Sequence, residues 1–191
     1  FQITVSNNNT PPTFTSTPLM TVDEDDTYNY KINTNDSNGD EVTISVVTKP
    51  EWLLFTFVSG NTTASLNGIP DNDDVGSYEV SLRVSDGIES TDQDFQIVVN
   101  NTNDEPEFVS NAITGSEILV EYSYTAIAED IDLEDVLTYS AIILPDWLTF
   151  NTSTQTLSGT PSLSNVGSHN VTLRVTDETV NIDQEFVILV V

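Results

Sequence analysis

Carboxylates are the main chemical resource of this chain. It carries 31 Asp and Glu against four Lys and Arg, for a formal net charge of -27, with a single histidine and no cysteine. The acids fall in short runs: Asp23-Glu24-Asp25-Asp26, Asp36-Ser37-Asn38-Gly39-Asp40, Asp71-Asn72-Asp73-Asp74 and Glu129-Asp130-Ile131-Asp132-Leu133-Glu134-Asp135. Near the middle, six of the nine residues from Asn100 to Phe108 are Asn, Asp or Glu, and Pro106 holds Glu105 extended and bars a helix. Oxygen-rich side chains on a short, stiff connector suit a hard cation, since Ca²⁺ takes six to eight oxygen ligands from mixed donors. Without cysteine there is no disulfide, no thiolate zinc site and no thiol nucleophile, although cysteine usage leaves the compartment open.

Other chemistries find little support. The negative field repels nucleic acid and anionic membranes and draws in cations. His169 falls on the inward phase of a strand, and no serine shows the spacing of a nucleophile elbow with a paired His and Asp, so the chain is expected not to be an enzyme. Asp36 to Asp40 echoes part of an EF-hand loop, but no Glu stands at the twelfth position and no helices flank it. There is no apolar run of about 18 residues, so no membrane helix is expected within this stretch.

The elements that position the acids repeat. Pro12-Thr13-Phe14 answers to Pro106-Glu107-Phe108 and Tyr28-Asn29-Tyr30 to Tyr122-Ser123-Tyr124, both at an offset of 94. Pro50-Glu51-Trp52-Leu53 matches Pro145-Asp146-Trp147-Leu148 at 95, and Leu82-Arg83-Val84 matches Leu173-Arg174-Val175 at 91. Phe1-Gln2-Ile3-Thr4-Val5 recurs as Phe95-Gln96-Ile97-Val98-Val99, so the chain reads as an excised piece. The expected division is a final strand of a preceding repeat at 1–6, a first domain at 7–100, a cation-binding linker at 101–106 and a second domain at 107–191.

Each copy reads as strands. Tyr78, Val80, Leu82 and Val84 alternate with Glu79, Ser81 and Arg83, the period of a strand with one buried face. Asn, Asp, Gly and Pro clusters break the pattern roughly every eight to twelve residues, as in an all-β antiparallel sandwich. Trp52 and Trp147 are expected to plug one core each, and Arg83 and Arg174, on outward phases, to pair with local acids.

The combination of Tyr-x-Tyr, P-x-W-L-x-F, L-x-G-x-P and V-G-S in both copies resembles the dystroglycan-type cadherin-like domain, a relative of the putative Ig module found in tandem on bacterial surface proteins. The resemblance implies two tandem Ig-like or cadherin-like β-sandwiches in an extracellular or cell-surface protein, with Ca²⁺-dependent adhesion or spacing as the role.

Strand topology then places the acids. Turns after the second and sixth strands of a sandwich lie at the end where the linker enters, and turns after the first and fifth at the other. Asp23, Glu24, Asp71 and Asp73 from the first copy are therefore expected at one inter-domain junction with Asn101, Asn103 and Asp104 of the linker and Asp130, Asp132 and Asp177 of the second copy. The cadherin resemblance implies the same meeting of three acidic sources, with Asp130 and Asp132 as its Asp-x-Asp, Asp177 as the later Asp and Asn103-Asp104 at the linker position. A weaker site is expected at the start of the first copy, from Asn7, Asn9, Asp36, Asn38, Asp40 and Asp86. The expected cofactor is Ca²⁺. The expected partners are neighbouring repeats, other copies of the chain or cell-surface glycans. A carbohydrate-binding module and an acidic spacer without metal stand as alternatives.

Overall fold

The computed structural model describes residues 1–2, 8–132 and 135–191. Most of the expected strand of a preceding repeat, and Asn7 of the expected first site, lie outside the described residues, as do Leu133 and Glu134. The chain forms two compact units, Phe1–Thr102 and Asn103–Val191.

The first unit contains β1 (Thr13–Phe14), β2 (Thr21–Asp23), β3 (Tyr28–Asn35), β4 (Thr43–Thr48), β5 (Leu53–Phe57), β6 (Thr63–Gly68), β7 (Gly76–Ser85) and β8 (Ser90–Asn100). They make two sheets, ordered β1-β3-β6-β5 and β2-β8-β7-β4. The second unit contains β9 (Glu107–Phe108), β10 (Gly115–Ser116), β11 (Tyr122–Thr125), β12 (Ala128–Glu129), β13 (Thr138–Ile143), β14 (Thr149–Asn151), β15 (Thr156–Gly159), β16 (Gly167–Thr176) and β17 (Asn181–Val190). Its sheets run β10-β17-β16-β13, β11-β15-β14 and β12-β9.

The pairing is antiparallel except for β2 on β8 and β10 on β17, which are parallel. The reason is that the first extended segment of each unit divides between sheets, so its second half meets the last strand running the same way. A serine marks the departure. Thr15 N makes the last ladder bond in the first unit, to Asn33 O, while Val109 N and Ser110 N share Ile127 O in the second. The hydroxyls of Ser16 and Ser110 then stand in for a backbone carbonyl, accepting from Asn33 N (2.9 Å) and Ile127 N (2.8 Å). Leaving a sheet strands backbone donors, and a short hydroxyl side chain satisfies one of them locally.

Alternation fills each core. Tyr28, Tyr30, Ile32, Leu66, Val80, Leu82, Val84 and Ile97 are buried in the first unit, and Tyr122, Tyr124, Leu157, Val171, Leu173 and Ile188 in the second. Trp52 meets Tyr28 and Tyr78 edge-on at centroid distances of 5.9 and 6.2 Å, and Trp147 meets Tyr122 and His169 at 6.0 and 5.8 Å. His169 is thus a packing partner at the rim of the core, with Nε2 held 2.7 Å from Asn165 O. Tyr30 and Tyr124 donate to Gln93 Oε1 and Gln184 Oε1, which satisfies their buried hydroxyls. Arg83 and Arg174 form two-pronged pairs with Asp92 and Asp183, each with a nearest distance of 2.7 Å.

Burial has a consequence at high pH. It is the main cause that raises the Tyr28 and Tyr122 phenols well above their ordinary value, with their neighbours Tyr30 and Tyr124 adding to it. Both hydroxyls donate to backbone carbonyls, Leu19 O and Ile113 O, and so favour the neutral form. Because the folded value exceeds the unfolded one, the stabilisation is complete below about pH 10 and is lost as pH rises from there towards the folded value. Alkaline unfolding followed by tyrosinate absorbance should show these two phenols ionising only as near-UV circular dichroism collapses. Ionisation of every tyrosine near the ordinary value with the fold intact would disprove this.

Candidate metal centres

Each unit gathers carboxylates at the loops that follow its second and sixth long segments. In the second unit, Asp130, Asp135 and Asp177 each bring one carboxylate oxygen within 4.8 Å of the others. Asp177 opens the turn between β16 and β17, where its Oδ1 accepts from Thr179 N and Val180 N, both at 2.6 Å. Its Oδ2 accepts from Asn103 Nδ2 at 3.0 Å. The backbone donor of Val180 and the Asn103 amide are the largest causes that hold Asp177 below the usual carboxylate range.

Asp132 is laced into the same end of the unit. Its N donates to Asp130 Oδ1 (3.0 Å), its Oδ2 accepts from Asp104 N (2.7 Å), and Asp135 N donates to Asp132 O (3.0 Å). Asp132 and Asp177 are only 5% and 4% exposed. Burial, then the neighbouring charges of Asp132, Asp130, Asp177 and Glu178, pushes the Asp135 carboxyl up.

The first unit repeats the arrangement. Asp36, Asp40 and Asp86 meet the same 4.8 Å criterion. They stand at offsets of 94, 95 and 91 from Asp130, Asp135 and Asp177. Asp36 Oδ1 accepts from Asn38 N (2.8 Å) and Asp40 N (3.2 Å), and Asp86 Oδ1 accepts from Ile88 N and Glu89 N at 2.7 Å. Asn9 Nδ2 donates to Asp86 Oδ2 (2.9 Å), as Asn103 does to Asp177. The backbone donor of Glu89 and the Asn9 amide are the largest causes that lower Asp86. Asn38 and Thr10 occupy the positions of Asp132 and Asp104, and the Asn38 amide oxygen accepts from both Thr10 N (3.0 Å) and Thr10 Oγ1. This group therefore carries less charge than its counterpart.

Several of these oxygens have no donor. Asp36 Oδ2, Asp130 Oδ2, Asp132 Oδ1 and Asp135 Oδ2 are buried without a hydrogen-bond partner among the described residues. A buried carboxylate oxygen facing other carboxylates is unfavourable unless a cation supplies the missing charge. The ligand atoms on offer are oxygens alone, without His or Cys, which fits a hard ion such as Ca²⁺ better than zinc or copper.

The remaining predicted ligands sit as follows. Glu24, 3% exposed, has its backbone N on Asn100 O (3.0 Å), accepts from Thr102 N through Oε1 and leaves Oε2 without a donor. Asp23 is exposed and accepts from Asn100 Nδ2 at 2.8 Å. Asn101 is exposed. Asp71 and Asp73 belong to the capping of a short 3-10 turn at Asn72–Asp74: Asp73 N donates to Asp71 Oδ1 (3.1 Å) and Asp71 N to Asp74 Oδ2 (3.2 Å). The equivalent turn Leu163–Asn165 is closed by Ser162 and Asn165 without any acid, so the same capping geometry is reached there by neutral side chains. Neither Asp71 nor Asp73 joins a carboxylate group among the described residues. Asp135 was not among the predicted ligands; its signal was the 95-residue offset from Asp40, which was.

The profile of the family described as "Putative Ig domain" matches residues 11–100 and 105–191. The chain belongs to the putative Ig domain family. No curated protein matches it in sequence. Among solved structures, protocadherin gamma B2 extracellular cadherin domains 3-6 are similar at 18% identity and a TM-score of 0.60, over 98% of this chain and 51% of that one. Human protocadherin-24 EC1-2 is similar at 17% identity and a TM-score of 0.56, over 96% of this chain and 100% of that one. At such identities the likeness establishes the fold alone, so these are two tandem putative Ig domains similar in structure to cadherin domains. An endo-fucoidan hydrolase of glycoside hydrolase family 107 matches at 29% identity, over 99% of this chain and 30% of that one, with a TM-score of 0.44. The chain spans less than a third of that enzyme.

Proposed function

We propose that this pair of Ig-type domains is a non-catalytic, Ca²⁺-binding module of an extracellular or cell-surface protein, acting in Ca²⁺-dependent adhesion or self-association and as a stiffened spacer. The observation that carries the reading is the set of buried carboxylate oxygens without donors in both units, centred on Asp130, Asp132 and Asp135 in the second and Asp36 in the first. A divalent ion reverses the sign of the repulsion among such groups. The likeness to extracellular cadherin domains supports an extracellular location; neighbouring repeats and further copies of the chain are the partners this reading expects.

Calorimetric titration of the chain with Ca²⁺ should show saturable binding, with the tighter event lost on Asp132→Asn and the weaker one on Asp36→Asn. Light scattering at high protein concentration should report association that a chelator reverses. Absence of any binding heat would sink the metal reading. Binding without association would leave the spacer role and remove the adhesive one.

A further inference from the structure

We infer that the outward face of β3, β6 and β5 in the first unit is a binding surface for an anionic saccharide, anchored on Lys31. The register sets the outward side chains in rows. Asn29 lies beside Asn67 and Asn67 beside Leu54; Lys31 lies beside Ser65 and Ser65 beside Thr56. All of these but Leu54, with Asn61 and Val58 from the adjoining loop, line a groove of about 420 Å³. Beside Val58 and Ala64, its walls carry amides and hydroxyls that can both donate and accept, as sugar hydroxyls do, with Asn67 Nδ2 donating to Ser65 Oγ at 3.0 Å.

Charge distinguishes this face. Although the chain carries 31 acids, none falls on β1, β3, β5 or β6; the strand acids of the first unit, Asp23, Glu79, Asp92 and Asp94, are all on the other sheet. Of the four basic residues, Arg83 and Arg174 are held by Asp92 and Asp183, and Lys49 Nζ donates to Pro50 O. Lys31 is the one basic side chain with no such partner among the described residues, and it stands in the groove. An ammonium with three free donors amid neutral polar groups suits a sulfate ester or a carboxylate on a sugar chain. The second unit supplies a contrast inside the same molecule. Its sheet β11-β15-β14 is equally free of acids, but Ser123, Thr125, Thr156 and Ser158 replace Asn29, Lys31, Ser65 and Asn67, which leaves hydroxyls without a charge. The binding face is therefore specific to the first unit.

The net charge of -27 opposes any anion at long range. At roughly 0.15 M ionic strength, however, exposed charges are screened beyond about 8 Å, so the local ammonium governs a docked ligand. The inference does not depend on the calcium reading, because none of the groove residues belongs to a carboxylate group.

The test is affinity electrophoresis of the 191-residue chain through gels containing dextran sulfate, polygalacturonate or neutral dextran, with Ca²⁺ and with chelator. Retardation by at least one charged polymer and not by neutral dextran is expected. Retardation by dextran sulfate alone assigns a sulfate ester, and by polygalacturonate a carboxylate. Loss of a charge-assisted hydrogen bond in Lys31→Ala should weaken the binding by about tenfold or more. Lys31→Arg should retain it, and Lys49→Ala, away from the groove, should leave it unchanged. No retardation by either charged polymer, equal retardation by neutral dextran, or equal loss in the Lys31 and Lys49 variants would overturn the assignment.

Discussion

Saturating Ca²⁺ is expected to raise the melting temperature of the second unit on the order of 10 °C or more, because a ligand at a hundred times its dissociation constant contributes about 2.7 kcal/mol and a domain of this size gains roughly 4–8 °C per kcal/mol. The decisive variant is Asp132→Asn, whose effect should change sign with the metal. In chelator, the Asn oxygen can still accept from Asp104 N, and an amide donor replaces the oxygen that has none, so the variant should melt at or above the wild type. In Ca²⁺ the same variant should lose most of the gain, since the buried carboxylate oxygen that the proposed ion would take up is gone. Glu117→Gln, exposed and outside the carboxylate groups, should follow the wild type in both buffers. A structural role for Asp132 predicts loss in both conditions, so differential scanning calorimetry of the two proteins in the two buffers separates the readings.

The second large effect comes from two glycines. Gly68 and Gly159 end the strands that face the tryptophans, and a Cβ at either would run into the carbonyl oxygen of Trp52 or Trp147. At Gly68 it would also lie 2.8 Å from Trp52 Cε3, and at Gly159 3.0 Å from the Trp147 carbonyl carbon. Backbone atoms on a closed strand end cannot swing away as a flexible side chain does, so the cost is of the overpacking kind, about 3 kcal/mol. Gly68→Ala and Gly159→Ala should each lower the melting temperature of their own unit by more than about 10 °C. Gly87→Ser, at an open turn where nothing stands within 4 Å, should do far less, limited to the strain of its φ of +89°. A melting temperature for Gly159→Ala within two or three degrees of wild type, by the same scale less than about 1 kcal/mol, would show that the tryptophan yields.

Strand character, the repeat and the packing anchors were legible in the sequence, because they depend on local alternation and on large side chains. Tyr28 and Tyr30, two residues apart, had to face the same side of a strand, and their counterparts Tyr122 and Tyr124 do the same. Arg83 and Arg174, on the outward phase, had acids within reach across the hairpin, and the register pairs them with Asp92 and Asp183. The parallel pairing of β2 with β8 was not legible, because the switch between sheets rests on serine hydroxyls whose role depends on what they meet.

The acids divide along the same line. Sequence alone determined that this is an acidic, tandem, all-β chain whose candidate ligands are oxygens clustered in turns, since composition and spacing are one-dimensional properties. Only the tertiary structure decided which acids act together. Asp71 and Asp73 are as densely charged in sequence as Asp130 and Asp132, yet they close their own turn through bonds two and three residues away. Asp130, Asp135 and Asp177 are separated by up to 47 residues and still converge. A carboxylate spends its hydrogen-bonding capacity on whichever donors the fold brings near, and the oxygens left without a donor are set by the three-dimensional course of the backbone.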